Sequence, residues 1–166
     1  MEPLFIFLED SALGLWVRGE TGASMAFPII IAFHAIGMGF LAGIASMINL
    51  RILGVAKQIP LQRLDAFMPV AWVALVINVI SGLLLLVAYP TKALTNPVFF
   101  AKLLCIAGAL WGLFHLRSRA LLSRSADVPA ASQSIRRIAA LATLLWVVAI
   151  VTGRLLAYTH TRLMST

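Results

Sequence analysis

The sequence predicts an all-α protein: a four-helix transmembrane bundle with a short N-terminal interfacial helix. Three observations carry that expectation. Of 166 residues, 61% are hydrophobic and only 11% charged, and mean hydropathy is +0.99. Soluble domains run about 45–50% apolar and about 25% charged. Four apolar runs lie at about 24–50, 66–89, 97–116 and 138–159. Each is near the ~20 residues a helix needs to cross the hydrocarbon. The 13 basic residues fall mostly in the short connections, so the net charge of +7 reads as a topology signal and not as a nucleic-acid surface.

Residues 1–20, "MEPLFIFLEDSALGLWVRGE", form the first segment. Leu4, Phe5, Leu8, Leu15 and Trp16 recur at roughly helical spacing, which predicts an amphipathic helix lying at the membrane interface. Glu2, Glu9 and Asp10, with no early basic residue, argue against a cleaved signal peptide. The transmembrane domain is then 21–166. In lipid a spanning backbone must satisfy its own hydrogen bonds, so each run is read as a helix.

The connections set the orientation. "RILGVAKQIPLQRLD" and "RSRALLSRSADVPAASQSIRR" hold Arg51, Lys57, Arg63, Arg117, Arg119, Arg124, Arg136 and Arg137. The other side holds Arg18, Lys92 and Arg162, with Lys92 in "YPTKALTNP". The positive-inside rule puts the first group in the cytoplasm and both termini outside. The single cysteine, Cys105, excludes an intrachain disulfide and cysteine-based metal clusters within one chain.

Counting 1.5 Å per residue gives each polar side chain a depth. His34, in "FPIIIAFHAIGMGFLAG", falls in the outer half of the first span, with Arg154 at a similar depth on the fourth. Tyr158 is one turn further out and Lys102, on the third span, slightly shallower, so these residues can share one layer. No span contains a carboxylate. A charge at mid-membrane costs roughly 2.5–3.5 kcal/mol. Cations without protein anions need water, backbone carbonyls or an anionic ligand, such as haem propionates or an organic acid. The plainer alternative is that Lys102 and Arg154 snorkel to the outer interface.

His115 falls near the cytoplasmic end of the third span, on one face with Gly108 and Gly112. "GALWG" and "GFLAG" (39–43) both have small-xxx-small spacing. Close helix packing explains such pairs. Space for a flat macrocycle beside His115 is the functional alternative. His160 reads as interfacial, and Trp72, Trp111, Trp146, Phe99, Phe100 and Tyr89 as belts and packing. Asn49 and Asn78 read as interhelical hydrogen-bond groups.

Three occupants suit these histidines. Haem b takes axial imidazole, with His34 and His115 as ligands and Arg154, Lys102 and Tyr158 toward the propionates. The two histidines are separated by on the order of 15 Å along the membrane normal, which one bis-histidine haem does not tolerate. Two sites, shifted helices or a ligand from a second protomer would be required. Copper suits His34 with Met38 at i,i+4, and with Met25 and Met47 along the helix. Without a cofactor, His34 would hydrogen-bond across helices and move protons. No nucleophile elbow, phosphate loop, zinc motif or intramembrane carboxylate pair is present, which argues against hydrolytic and phosphoryl-transfer chemistry.

Three stretches, "FHAIGMGFLAGIASMINLRILG", "PVFFAKLLCIAGALWGLFH" and "LWVVAIVTGRLLAYTH", resemble a family of small, largely uncharacterised four-helix integral membrane proteins of bacteria. The matching positions are His34, Leu50, Arg51, Gly54, Gly82, Lys102, His115, Trp146, Gly153, Arg154 and Tyr158. The chain departs from that pattern at Asn49 and in "PIIIAF", where the family usually carries an acidic residue. The resemblance implies a four-helix bundle in the inner membrane and adds weight to His34, Lys102, His115 and Arg154. The leading expectation is an integral-membrane b-type cytochrome with a membrane redox partner or quinone. The alternatives are a small anion and proton carrier, a copper-binding protein, and an accessory subunit. Besides the bilayer, a homo-oligomer is expected, because four short helices bury little and GxxxG-like faces are available.

Overall fold

The computed structural model describes residues 2–22, 25–121 and 133–163, with backbone alone at 2–4, 120–121 and 157–163. No strand occurs among the described residues, and four helices are long and apolar enough to cross a membrane. In order these are α1 (Glu2–Glu9), α2 (Ala12–Arg18), α3 (Ala26–Leu53), α4 (Met68–Ala88), α5 (Pro90–Leu94), α6 (Pro97–Leu116) and α7 (Gln133–Leu163). A 3-10 turn at Leu61–Phe67 leads into α4. The spans α3, α4, α6 and α7 correspond to the four apolar runs.

Local chemistry sets the ends. Gly54 terminates α3 at φ 107, in the left-handed region; its N–H donates to the Arg51 carbonyl and the Val55 N–H to the Leu50 carbonyl. Asn96 caps α6 by accepting from the Val98 N–H, and Pro97 occupies the first helical position, where no N–H is needed. Pro90 begins α5, a short helix inside a connection that the sequence reads as a plain linker.

Many of the buried positions in the spans are small, and many large apolar side chains are exposed. Ala45, Ala109 and Ala139 are fully buried, whereas Phe33, Val73, Leu104, Trp111 and Val147 are exposed on the outer surface. Lipid tails are as apolar as leucine, so helices associate through close backbone approach and not by hiding hydrophobic bulk. A Cβ on Gly112 would sit 2.8 Å from the Ala142 Cβ, and one on Gly108 would sit 3.0 Å from Leu145. The "GALWG" pair is therefore the contact surface of α6 on α7. Gly39 and Gly43 have nothing within 4 Å. That pair faces away from the bundle.

Helix α3 is the hub. It packs on α4 and on α7, α7 packs on α6, and α4 and α6 scarcely touch. Trp72 of α4 stacks on Phe114 of α6, centroids 5.0 Å apart. The stack borders a shallow crevice lined by Leu41, Met68, Ala71, Leu75 and Leu113. At the arginine-rich end, Arg117 pairs with Asp65 at 2.7 Å and Arg136 donates to the Leu53 carbonyl at 3.3 Å.

The N-terminal segment is two helices, not the one that the amphipathic spacing suggests. Ser11 breaks the run and caps α2, accepting from the Gly14 N–H at 3.1 Å. Any Cβ on Gly14 would come within 2.5 Å of the Glu9 carbonyl oxygen, so only glycine allows this turn. Helix α2 docks on the end of the α3–α4 pair, burying Val17 against Ile30 and Ala88. Arg18 ties it down by donating to the carbonyls of Glu9 (2.7 Å) and Ala88 (3.2 Å), the orphan acceptors at two helix C-termini. The same guanidinium pairs with Glu20 at 2.6 Å and holds that carboxyl below its usual range.

Trp146 is not a belt residue. It is 1% exposed and is the largest fully buried side chain. The interhelical hydrogen bonds expected of Asn49 and Asn78 do not form among the described residues. Asn49 is completely buried with both amide atoms unpartnered. Asn78 donates to the Ala74 carbonyl of its own helix, and its Oδ1 has no partner.

Candidate functional site

The site is built from α3 and α4 outward. His34 on α3 is half-buried, and its Nδ1 lies 2.9 Å from Ser81 Oγ on α4. Ser81 also donates to the Ile77 carbonyl of its own helix at 2.6 Å. A hydroxyl has one hydrogen, so with that hydrogen spent the oxygen accepts, and Nδ1–H of His34 is the donor. This assigns the tautomer: Nε2 carries the lone pair. Gly82 makes room, because a Cβ there would stand 3.4 Å from His34 Cε1. One turn inward, Gly37 performs the same service for Asn78, whose Nδ2 would lie 2.6 Å from a Cβ at position 37.

Lys102 arrives from α6. It is half-buried, and its chain runs over Gly153 of α7, where a Cβ would lie 3.5 Å from Cε and 3.7 Å from Nζ. Lys102 has no ion-pair or hydrogen-bond partner among the described residues. The four spanning helices contain no aspartate or glutamate. The arrangement is an ammonium and an imidazole in one layer, each with unused hydrogen-bonding capacity and no protein anion between them.

Arg154 shares the depth but not the direction. From the Arg136–Leu53 contact, Arg154 is ~27 Å along α7 and His34 ~28 Å along α3. Its side chain, however, is exposed on the outside of α7. His34 and Lys102 are thus half-buried at a similar depth, His34 against α4 and Lys102 over α7, whereas Arg154 is exposed. The side chains of Tyr158 and His160 lie outside the described residues. His115 is 13 residues along α6 from Lys102, ~20 Å further toward the arginine-rich end. There it stacks on Trp111 with centroids 5.1 Å apart.

That geometry tests the fit of a cofactor. The tautomer of His34 suits an axial ligand, since metal-bound histidine usually donates its other N–H to a supporting group. The second ligand does not fit, because His115 is too far along the axis. The gap imagined beside Gly108 and Gly112 is filled by Leu145 and Ala142. A single haem held by both histidines is not assembled within one chain. For copper, Met38 is packed against the apolar core and Met25 is 63% exposed. No cluster of three or more His, Cys, Asp or Glu occurs among the described residues.

Ser81 and Asn78 were missed as site residues. An i−4 serine beside a glycine in an apolar run is the one signal that could have found Ser81. Comparisons with protein families, with curated proteins and with solved structures find no match for this chain.

Proposed function

We propose that the protein is a small anion and proton carrier of the membrane, with Lys102 receiving the anion and His34 handling the proton. The observation that carries this reading is the layer itself: His34 and Lys102 are half-buried at a similar depth, Lys102 has no ion-pair or hydrogen-bond partner among the described residues, and no spanning helix carries a carboxylate. An ammonium partly withdrawn from water is stabilised by a counter-charge, and a bound anion supplies it. The His34 Nε2 lone pair accepts a proton without disturbing the Nδ1–H bond to Ser81, so the imidazole can load and unload in place. The half-buried state of both residues keeps them within reach of the end where α1, α2 and α5 lie. In this reading that end faces the periplasm of a bacterial inner membrane, and the arginine-rich end faces the cytoplasm.

The test is thermal stabilisation of the detergent-purified protein across a panel of small anions, followed by anion-driven proton uptake in proteoliposomes. Anion-dependent stabilisation that disappears in Lys102→Gln supports the carrier. Absence of any anion effect overturns it.

One observation favours a second reading. The free Nε2 of His34, with Nδ1–H held by Ser81, is the arrangement of an axial ligand, so a b-type cytochrome is supported on this one residue. Haem b would supply one-electron transfer to a quinone or a membrane redox partner. Visible spectra of the purified protein, oxidised and dithionite-reduced, decide it. A Soret band lost in His34→Ala supports haem, and a colourless protein made under haem-replete conditions excludes it.

A further inference from the structure

At the arginine-rich end the chain that leaves α3 folds back on the helix end, and Arg51 makes it do so. The Arg51 guanidinium donates to the carbonyls of Ile59 at 2.6 Å and Lys57 at 2.8 Å. Between helix and anchors, Gly54 and Ala56 both take positive φ, 107 and 51. Alanine is seldom found there, because its Cβ crowds the backbone. The paired bonds of Arg51 hold a conformation that the loop alone would not keep. Lys57 is thereby returned to the end of α3, where a Cβ on Gly54 would lie 3.3 Å from its Cε. From α7, Arg136 Nη2 reaches the carbonyl of the preceding residue, Leu53, at 3.3 Å. With standard bond lengths, these contacts put Arg136 Nη2 within about 11 Å of Lys57 Cε. Two cations from separate segments thus stand over consecutive residues, with Arg51 behind them.

These cations have no anion beside them. A carbonyl takes one N–H of a guanidinium and leaves its charge and its other donors. The Lys57 ammonium has no hydrogen-bond or ion-pair partner among the described residues. Asp65, the one carboxylate of this connection, is held by Arg117 at 2.7 Å. The flank of the cluster is apolar: Leu50, Val55 and Ile59 are 41%, 54% and 41% exposed. Leu50 lies one turn before Gly54 on the same face of α3. Charge and exposed hydrocarbon therefore adjoin at the end of a span, which is the level where headgroups meet acyl chains. A free anion satisfies the charges alone, whereas a phospholipid phosphate brings its own hydrocarbon to the apolar flank. Independently of the carrier reading, we infer that the junction of α3 and α7 is a binding site for an anionic phospholipid. Its phosphate lies between Lys57 and Arg136, and its acyl chains run from there along Leu50. Arg51 is the positioning residue that holds Lys57 in place.

The purified full chain, in micelles doped with equal amounts of phosphatidylglycerol and phosphatidylcholine, tests this by native mass spectrometry. Phosphatidylglycerol should be retained at least about fivefold over phosphatidylcholine. In the double variant Lys57→Gln, Arg136→Gln the ratio should fall to near unity. The double variant Arg63→Gln, Arg119→Gln removes the same charge from the same end and should keep the preference. Arg51→Lys keeps its charge but not the paired bonds, and should lower the ratio; an unchanged ratio there overturns the positioning role. Equal retention of the two lipids by the wild type overturns the site, and this comparison needs no variant to fold. Equal loss in both double variants also overturns it, because net charge and not the junction would then draw the lipid. If inorganic phosphate raises Tm as far as phosphatidylglycerol does, the site takes a free anion and the lipid assignment falls. Lys102→Gln should leave the lipid ratio unchanged; a ratio lost in that variant would move the lipid away from the junction and overturn the inference.

Discussion

Two alanine substitutions two residues apart on α3 should move stability in opposite directions. At Gly37 a new Cβ would stand 2.6 Å from Asn78 Nδ2 and 3.1 Å from the Ala74 carbonyl oxygen, both on α4. At Gly39 nothing lies within 4 Å. Both changes gain helix propensity, about 1 kcal/mol for Gly→Ala in a helix interior. Gly39→Ala keeps that gain. Gly37→Ala must push α3 and α4 apart or displace Asn78. Overpacking of this kind costs about 1–3 kcal/mol. Losing the Asn78–Ala74 hydrogen bond costs about 1 kcal/mol more.

The two variants should therefore differ by roughly 2–4 kcal/mol, or on the order of 5–10 °C in Tm for a chain of this size. Thermal unfolding in one detergent, read by tryptophan fluorescence, measures the difference. Gly37→Ala melting with or above Gly39→Ala would refute the close α3–α4 approach and, with it, the placement of Asn78. If Gly39→Ala itself loses stability, the Gly39–Gly43 face is packed against a second copy of the chain, as a homo-oligomer requires.

Asn49→Leu should stabilise the protein by about 1–2 kcal/mol, since it removes two orphaned polar atoms from a fully buried position; a fall in Tm would mean that Asn49 has a partner. Ser81→Ala should cost about 1 kcal/mol by stranding the His34 Nδ1–H. Its imidazole ¹⁵N shifts should lose the single-tautomer signature, and unchanged shifts would disprove the hydrogen-bond assignment. Glu20 is held below the usual carboxylate range by Arg18, so its contribution is complete above that range and is lost as pH falls through its folded value. Docking of α2 should loosen at that acid transition, followed by Trp16 fluorescence, and Glu20→Gln should show no such transition.

The spans were legible because each apolar run is close to the bilayer thickness, and their ends because Gly54 and Pro97 carry their own conformational signals. The α1–α2 break was not legible. Gly14 and Ser11 read as ordinary small residues until the carbonyls of Leu8 and Glu9 are seen pressing on position 14. Nor was the state of the asparagines. Polar side chains on apolar helices invite pairing across an interface, but Asn78 bonds within its own helix and Asn49 is buried with both amide atoms unpartnered.

Depth along a membrane helix can be counted, but direction around it cannot, and the candidate site shows why. Counting placed His34, Lys102 and Arg154 in one layer, and the helix contacts agree with that depth. Direction depends on knowing which stripe faces the bundle, and in a soluble helix the apolar stripe gives it away. Here lipid and core are equally apolar, so the helix carries large hydrophobics outward and alanine and glycine inward. The informative residue is then the small one. Gly153, beside Arg154, marks the inner face of α7, and the side chain that crosses it comes from Lys102. Gly82 marks the matching place for His34. Glycine marks an inner face only where a neighbouring side chain crosses it, as at Gly82 and Gly153, since Gly39 and Gly43 face away from the bundle.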